Sequence, residues 1–274
     1  MNSNDFIDDL LRKGLFHLEA AHLDETTVCS KLLFYLGGSK KREAKIVTLV
    51  GGAASGKSTL ARNIASGLGA ADTVCTDDFA LGDRAYRRRF KDLEGVDPLT
   101  KYDFDLLREK VEKVKSLRSG EYVCLPSYDS HLGTGIPIEY DQVTGEITSV
   151  NRETCARKIG QVNFLIVEGD FQVLESPDYQ IYLHVPDDVR LKNRISRDLR
   201  ERGLTTPGEI TQSFNLRQKL QHLPYTLTNA STADMLLIVM AKPSTSDAGY
   251  QYEYSCWVSH REKTGRVGGL SPAR

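Results

Sequence analysis

The chain has 274 residues, 40% of them hydrophobic and 27% charged, with a formal net charge of −1 and a pI of about 6.6. That balance suits a packed globular protein and gives no electrostatic case for nucleic acid or an anionic membrane as the main partner. No apolar run approaches the roughly 20 residues needed to span a bilayer, and the opening "MNSNDFIDDLLRKG" lacks the basic and apolar blocks of a secretory leader.

Residues 4–36 carry helical spacing (Phe6, Leu10, Leu11, then Val28, Leu32, Leu33, Leu36) up to Gly37-Gly38, and a charged linker, "SKKREAK", follows. The expected organisation is a helical extension over 1–44, a main domain over 45–242, and an edge strand with a tail over 243–274. The extension either covers an exposed face of the main domain or joins copies into a homo-oligomer.

From residue 45, strand-like runs (45–50, 72–76, 121–125, 162–167, 180–185, 235–240) alternate with helix-like ones (57–67, 103–118, 187–202, 209–222). Near-continuous apolar strands separated by helices predict an α/β fold, a parallel sheet flanked by helices on both faces. Residues 136–150 alternate around Thr144-Gly145 and predict a β-hairpin on the rim, and "YQYEYSCWV" (250–258) predicts an edge strand.

The five cysteines (Cys29, Cys75, Cys124, Cys155, Cys256) are odd in number and form no C-x-x-C pair, so neither a disulfide framework nor a zinc site is expected. Cys75, Cys124 and Cys256 read as small core fillers, and a reducing, cytoplasmic setting is the default.

Between the first strand and the first helix of the main domain stands "GGAASGKST". Gly51, four residues, Gly56, Lys57 and Ser58 match G-x-x-x-x-G-K-[ST] in the strand-to-helix context of a phosphate-binding P-loop. Gly51, Gly52, Ala53, Ala54, Ser55 and Gly56 let backbone N–H groups curl around phosphate oxygens without a bulky side chain in the way. Lys57 reaches the outer phosphates, the Ser58 hydroxyl ligates Mg²⁺, and Thr59 continues the helix whose N-terminus adds positive charge.

Two further carboxylates end strands at the same expected edge of the sheet: Asp77 in "VCTDDF" and Glu168 in "LIVEGD". One acid after a strand reads as a helix cap; two on separate strands point to Mg²⁺ and a γ-phosphate. Glu168 suits the metal, and Asp77, beside the metal, suits the base that accepts a hydroxyl proton. Asp78 reads as a cap. In "DDVRLKNRISRDLRERG", Leu191, Ile195 and Leu199 form an apolar stripe and Arg190, Arg194 and Arg197 a cationic one, followed by Arg200, Arg202 and Gly203. Such a stripe is either a solvated face or a lid whose guanidiniums stabilise charge on a transferred phosphoryl group.

Taken in order, "GGAASGKST", "TDDF", "YDFDLL", "LPSYDSH", "LIVEGD" and "RISRDLRERG" resemble the uridine kinase family and its phosphoribulokinase and pantothenate kinase relatives, over about residues 45–240. The resemblance implies a P-loop NTPase-type fold and ATP-dependent, Mg²⁺-assisted phosphorylation of a hydroxyl on a small molecule, most simply a uridine- or cytidine-like nucleoside. It implies Asp77 as base, Ser58 and Glu168 around the metal, and Arg194, Arg197 and Arg202 on phosphates or substrate. It places Asp97 on ribose hydroxyls, Tyr128 as a pocket wall or a plain core tyrosine, and His131 as a substrate contact or a surface loop residue.

The chain departs from the uridine kinase pattern at Ala80, Ser130, Gly133 and Leu204, and its 133–162 connection is longer. These departures leave pantothenate-, sugar- and glycerate-type acceptors open. No N-K-x-D box marks a GTPase, and Gly169 stands where a motor ATPase carries a second acid. A nucleotide-binding interaction protein without turnover is the alternative from another class.

Overall fold

The computed structural model describes residues 2–36, 43–201, 206–243 and 250–259. Its first strand, Phe16–Leu23 (β1), lies between helices Ser3–Arg12 (α1) and Glu25–Leu36 (α2), inside the segment whose spacing reads as helical throughout. Asn2 caps α1 by accepting from the Asp5 amide at 2.9 Å, and the Asp5 carboxylate accepts from the Asn2 amide in return. β1 is strand because it has a partner: it pairs antiparallel with Tyr250–Ser259 (β11).

The main unit follows as Lys45–Gly51 (β2), Lys57–Leu68 (α3), Ala71–Cys75 (β3), Arg84–Phe90 (α4) and Phe104–Lys115 (α5). Then come the short strands Val123–Leu125 (β4), Ile138–Tyr140 (β5), Ile147–Val150 (β6) and Arg157–Ile159 (β7). Phe164–Gly169 (β8), Tyr179–His184 (β9), Asp187–Glu201 (α6), Pro207–Arg217 (α7) and Met235–Pro243 (β10) complete the order before β11.

Seven strands form one sheet in the order β1-β11-β10-β9-β2-β8-β3. From β10 to β3 every neighbouring pair is parallel, while β11 runs antiparallel to both its neighbours. The run 250–258 is therefore an interior strand and not the expected edge, because β1 takes the edge position.

Alternate side chains of the central strands go to opposite faces, as the two-residue strand period requires. Val47, Leu49 and Ile166 pack with Leu60, Ala61 and Ile64 of α3 and with Val28 and Leu32 of α2. Ile46, Leu165 and Val167 pack on the other side with Leu107, Val111 and Val114 of α5. Ile7, Leu10 and Phe16 of the extension close the rest of that layer against Val50, Tyr182 and Leu236. The segment before residue 45 thus covers the sheet of its own chain.

The 121–125 run is a strand but not part of the parallel sheet; β4 pairs antiparallel with β7 in a separate ribbon. That ribbon corrects the cysteine reading as well. Cys124 and Cys155 are joined in a disulfide, so Cys124 is a crosslink and not a core filler. The two are 31 residues apart, and the β4–β7 pairing brings their segments together. The hairpin expected over 136–150 is present as β5 and β6. The helix expected over 209–222 begins as α7 and continues through a wider π-type stretch, Gln218–Thr226, that carries Pro224. Gly37-Gly38, most of the charged linker, Arg202, Gly203, Leu204 and the tail past Ser259 lie outside the described residues.

Candidate active site

The parallel order sets the site. β2 runs into the P-loop between β8 and β9, and β8 in turn pairs with β3, so the carboxyl ends of β2, β8 and β3 are consecutive neighbours. Register places Glu168 of β8 across from Leu49 on one side and Cys75 on the other. A cavity of about 1170 Å³ opens along this edge. Ala53 through Thr59, Asp77, Tyr128, Glu168, Arg194 and Arg197 all line it.

The loop is built for an anion. Gly56, the residue before α3, has φ 86°, a left-handed conformation that favours glycine, and Ala54 at φ 62° adopts it as well. No side chain caps α3, which leaves the first amides of a 12-residue helix pointing into the cavity beside the loop. Behind the loop, a Cβ on Gly52 would collide with the Arg190 guanidinium and come within 2.8 Å of His222 Cε1. Arg190 is 1% exposed and bonds Asp187 at 2.6 Å, Gln218 at 2.7 Å and the Ala53 carbonyl at 3.4 Å. It braces the back of the loop.

Lys57 Nζ donates to Asp170 Oδ1 at 2.8 Å and to the Gly52 carbonyl at 2.9 Å. Burial alone would push this ammonium down, but Asp170 and Glu168 outweigh it and hold Lys57 above its usual range. Asp170 moves the opposite way to its own burial, and Lys57 is the main reason its carboxyl falls below the usual range. Gln221 Nε2 donates to the other Asp170 oxygen at 3.0 Å.

Ser58 Oγ donates to Glu168 Oε1 at 2.6 Å. Burial pushes the Glu168 carboxyl up, against the pull of Lys57 and the Ser58 hydroxyl. A buried carboxylate beside a hydroxyl, with Asp77 nearby, is an all-oxygen donor set that suits a hard cation such as Mg²⁺. Among the described residues no group of three or more His, Cys, Asp or Glu could hold a metal alone.

Asp77 is exposed to the cavity, and the Tyr102 hydroxyl donates to its Oδ1 at 3.3 Å. Asp78 turns the other way. It accepts from the Cys75 amide at 3.3 Å and the Tyr128 amide at 2.9 Å, and burial raises its carboxyl despite them. Asp78 ties the β3 end to the segment carrying Tyr128, whose own side chain is free to wall the cavity. On α6, Asp198 is fully buried and takes Arg194 Nε at 3.2 Å on one oxygen and Arg197 Nε at 2.9 Å on the other. Burial, then Arg217, pushes the Arg194 guanidinium down to about 10.

Two expected substrate contacts stand outside the cavity lining. Asp97 accepts from the Leu99 amide at 2.9 Å and caps the short Pro98–Lys101 turn. His131 lies in an exposed loop, its amide bonded to Asp129 at 2.7 Å. Asp170, Tyr102 and Arg217 were not singled out from the sequence. Asp170 had a local signal, since it stands two residues past a buried strand-end carboxylate; Arg217 had none.

A P-loop joined to strand-end carboxylates on a parallel sheet, with an arginine-bearing helix on the same cavity, defines the P-loop NTPase-type fold. The chain belongs to the Phosphoribulokinase / Uridine kinase family, whose model matches residues 46–246. It is 29% identical over 184 residues to mouse "Uridine-cytidine kinase-like 1", covering 64% of this chain and 30% of that protein. It is also 29% identical over 181 residues to the uridine kinase of Staphylococcus epidermidis, covering 64% of this chain and 78% of that one. The D-glycerate 3-kinase of Cryptococcus neoformans superposes with a TM-score of 0.53 at 15% identity, over 78% of this chain and 94% of its own, a likeness of fold alone. No helix among the described residues is long and apolar enough to cross a membrane.

Proposed function

We propose that the protein transfers the γ-phosphate of ATP to a hydroxyl group of a small polar molecule. The observation that carries this reading is the placement of Lys57, Glu168 and Asp77 on one cavity, on three adjacent parallel strand ends. Loop amides and the α3 N-terminus bind the phosphates, and Lys57 leaves Asp170 to meet the outer ones. Ser58 and Glu168, with Asp77 alongside, would hold Mg²⁺, which would supply neutralisation of the phosphate charge.

Asp77, oriented by the Tyr102 hydroxyl, accepts the acceptor's O–H proton as its oxygen bonds to the γ-phosphorus. The β–γ P–O bond breaks, and its electron pair leaves with ADP. Arg194 and Arg197, both anchored on Asp198, face the charge that spreads over the transferred group. Arg202, just past this helix, is assigned to the nucleotide by the family pattern alone.

A nucleoside acceptor is suggested by the names of the relatives, with Tyr128 as a wall; Asp97 and His131 would need a closed form of the site to reach it. A cytoplasmic setting is the default that the family suggests, and the Cys124–Cys155 disulfide runs against it.

The test is ADP release with and without hydroxyl compounds, for the wild type and Asp77→Asn. Acceptor-dependent release should fall by about 10² to 10⁴ in the variant while ATP binding stays within a few-fold, because a base is lost and no phosphate contact is. An active Asn variant removes Asp77 from the role. Tight nucleotide binding without turnover on any acceptor would make the chain a binding protein.

A further inference from the structure

Helix α1 lies ahead of the 46–246 that the family model matches, and the scheme above does not use it. Ser3, Ile7 and Leu10 recur at helical spacing on one face, and all three are buried. Ile7 and Leu10 pack with Val50, Tyr182 and Leu236. Ser3 is polar, and a buried hydroxyl needs a partner. It finds one 184 residues along the chain, where its Oγ donates to Asp187 Oδ1. Asn4 Oδ1 meets His184 Nε2 at 3.0 Å. The first turn of α1 thus sends two polar side chains to one place, the connection from the end of β9 to the start of α6.

The Asp187 oxygen that accepts from Ser3 also accepts from Arg190 Nη2 at 2.6 Å. Burial pushes the Asp187 carboxyl up, but the Ser3 hydroxyl and Arg190 outweigh it and hold it below its usual range. Arg190 Nη1 then donates to the Ala53 carbonyl at 3.4 Å. The Val185 carbonyl at 3.2 Å, Gln218 at 2.7 Å and the Phe214 ring at 5.2 Å also hold this guanidinium, and none of them belongs to the loop. A line of hydrogen bonds therefore runs from Ser3 through Asp187 and Arg190 to the P-loop.

The line ends on a peptide that matters for phosphate. Arg190 does not line the P-loop cavity, so a carbonyl turned towards it is turned out of that cavity. In a trans peptide the N–H points the opposite way from the C=O, which aims the Ala54 amide inward. A loop peptide held this way before phosphate arrives does not have to be ordered at the expense of binding energy.

We propose that Ser3 and Asp187 are positioning residues for the nucleotide: through Arg190 they fix the Ala53–Ala54 peptide, so that a helix outside the family's shared domain sets nucleotide affinity. This inference rests on the phosphate-binding part of the reading above and goes beyond it.

The experiment measures the Kd for Mg·ADP, and the Tm of the free protein, for the whole chain and four variants: Ser3→Ala, Arg190→Lys, the two combined, and Ile7→Val. Ser3→Ala and Arg190→Lys leave the charge around the loop unchanged, so a loss of affinity is a loss of position. Ser3→Ala should weaken Mg·ADP by about three- to tenfold, the size of one hydrogen bond. Arg190→Lys should weaken it by about tenfold or more, since an ammonium cannot span Asp187, Gln218 and Ala53 as the guanidinium fork does. The double variant should bind about as well as Arg190→Lys alone, because both changes break one line. Ile7→Val removes only packing from the same face of α1; it should lower Tm and leave Kd within about twofold.

A Kd for Ser3→Ala within about twofold of the wild type overturns the inference. So does a double variant whose loss is the product of the two single losses, or an Ile7→Val that weakens nucleotide as much as Ser3→Ala does. Nucleotide binding without turnover on any acceptor, with the Kd values ordered as expected, supports the inference while removing phosphotransfer. A wild type that binds no Mg·ADP sinks both.

Discussion

Lys57 Nζ and Asp170 Oδ1 stand 2.8 Å apart, so the P-loop lysine is already paired before any phosphate reaches it. The pair is buried, at 8% and 20% side-chain exposure. Nucleotide must therefore compete with Asp170 for the ammonium.

Asp170→Asn should separate the two uses of that lysine. Leaving a buried ammonium with weaker partners should lower the stability of the free protein by about 2 kcal/mol, or roughly 5 °C in Tm. The gain in Tm on adding Mg·ADP should be larger than in the wild type, since no ion pair is given up. Thermal melts with and without nucleotide decide the matter; an unchanged gain would mean that the pair persists in the bound state.

Tyr102→Phe isolates the contact to Asp77. The ring stacks on Phe104 at 5.0 Å and meets Phe171 edge-on at 5.8 Å, and phenylalanine keeps both contacts. Only the hydroxyl is lost, so kcat should fall about tenfold while stability stays within about 0.5 kcal/mol. A loss of stability without a loss of rate would make Tyr102 a packing residue.

Arg197→Gln and Arg194→Gln test the helix opposite the loop. If these guanidiniums act on charge that develops during transfer, kcat should drop by about 10² while the Kd for ATP changes only a few-fold. Equal losses in both would indicate simple binding of the ground state. Arg194→Gln should also reduce stability, because it takes a buried cationic partner from the fully buried Asp198, whereas Arg197, at 35% side-chain exposure, should do so less.

Acid should loosen the back of the P-loop. Burial first, then Arg190, pushes His184 down to about 4 and His222 down to about 3, against 6.5 in the unfolded chain. Below pH 6.5 the unfolded state takes up protons that the folded state refuses. This stability is therefore complete above that pH and is lost as pH falls towards 4 and then 3. Each histidine contributes a slope of at most about 1.4 kcal/mol per pH unit in that window. Among the described residues His222 has no hydrogen-bond partner on either ring nitrogen, so His222→Gln should flatten the fall in Tm between pH 6.5 and 4. An unchanged slope would assign the acid sensitivity elsewhere.

Local order in the chain determines much of this protein. The glycine spacing of "GGAASGKST", the apolar strands before Asp77 and Glu168, and the striped helix carrying Arg194 and Arg197 are encoded within short windows, where backbone freedom and side-chain period leave few alternatives. Only tertiary structure decides which distant groups meet. Asp170 finds Lys57 across 113 residues, Tyr102 finds Asp77 across 25, and Cys124 finds Cys155 through a ribbon that the alternating pattern hid within the main sheet. The same holds for β1, whose strand form depends on β11 at the far end of the chain, and for Asp97 and His131, which the family resemblance put near the substrate and which stand outside the cavity lining. Periodicity reports which face a residue is on, and pairing register and loop path report what it touches.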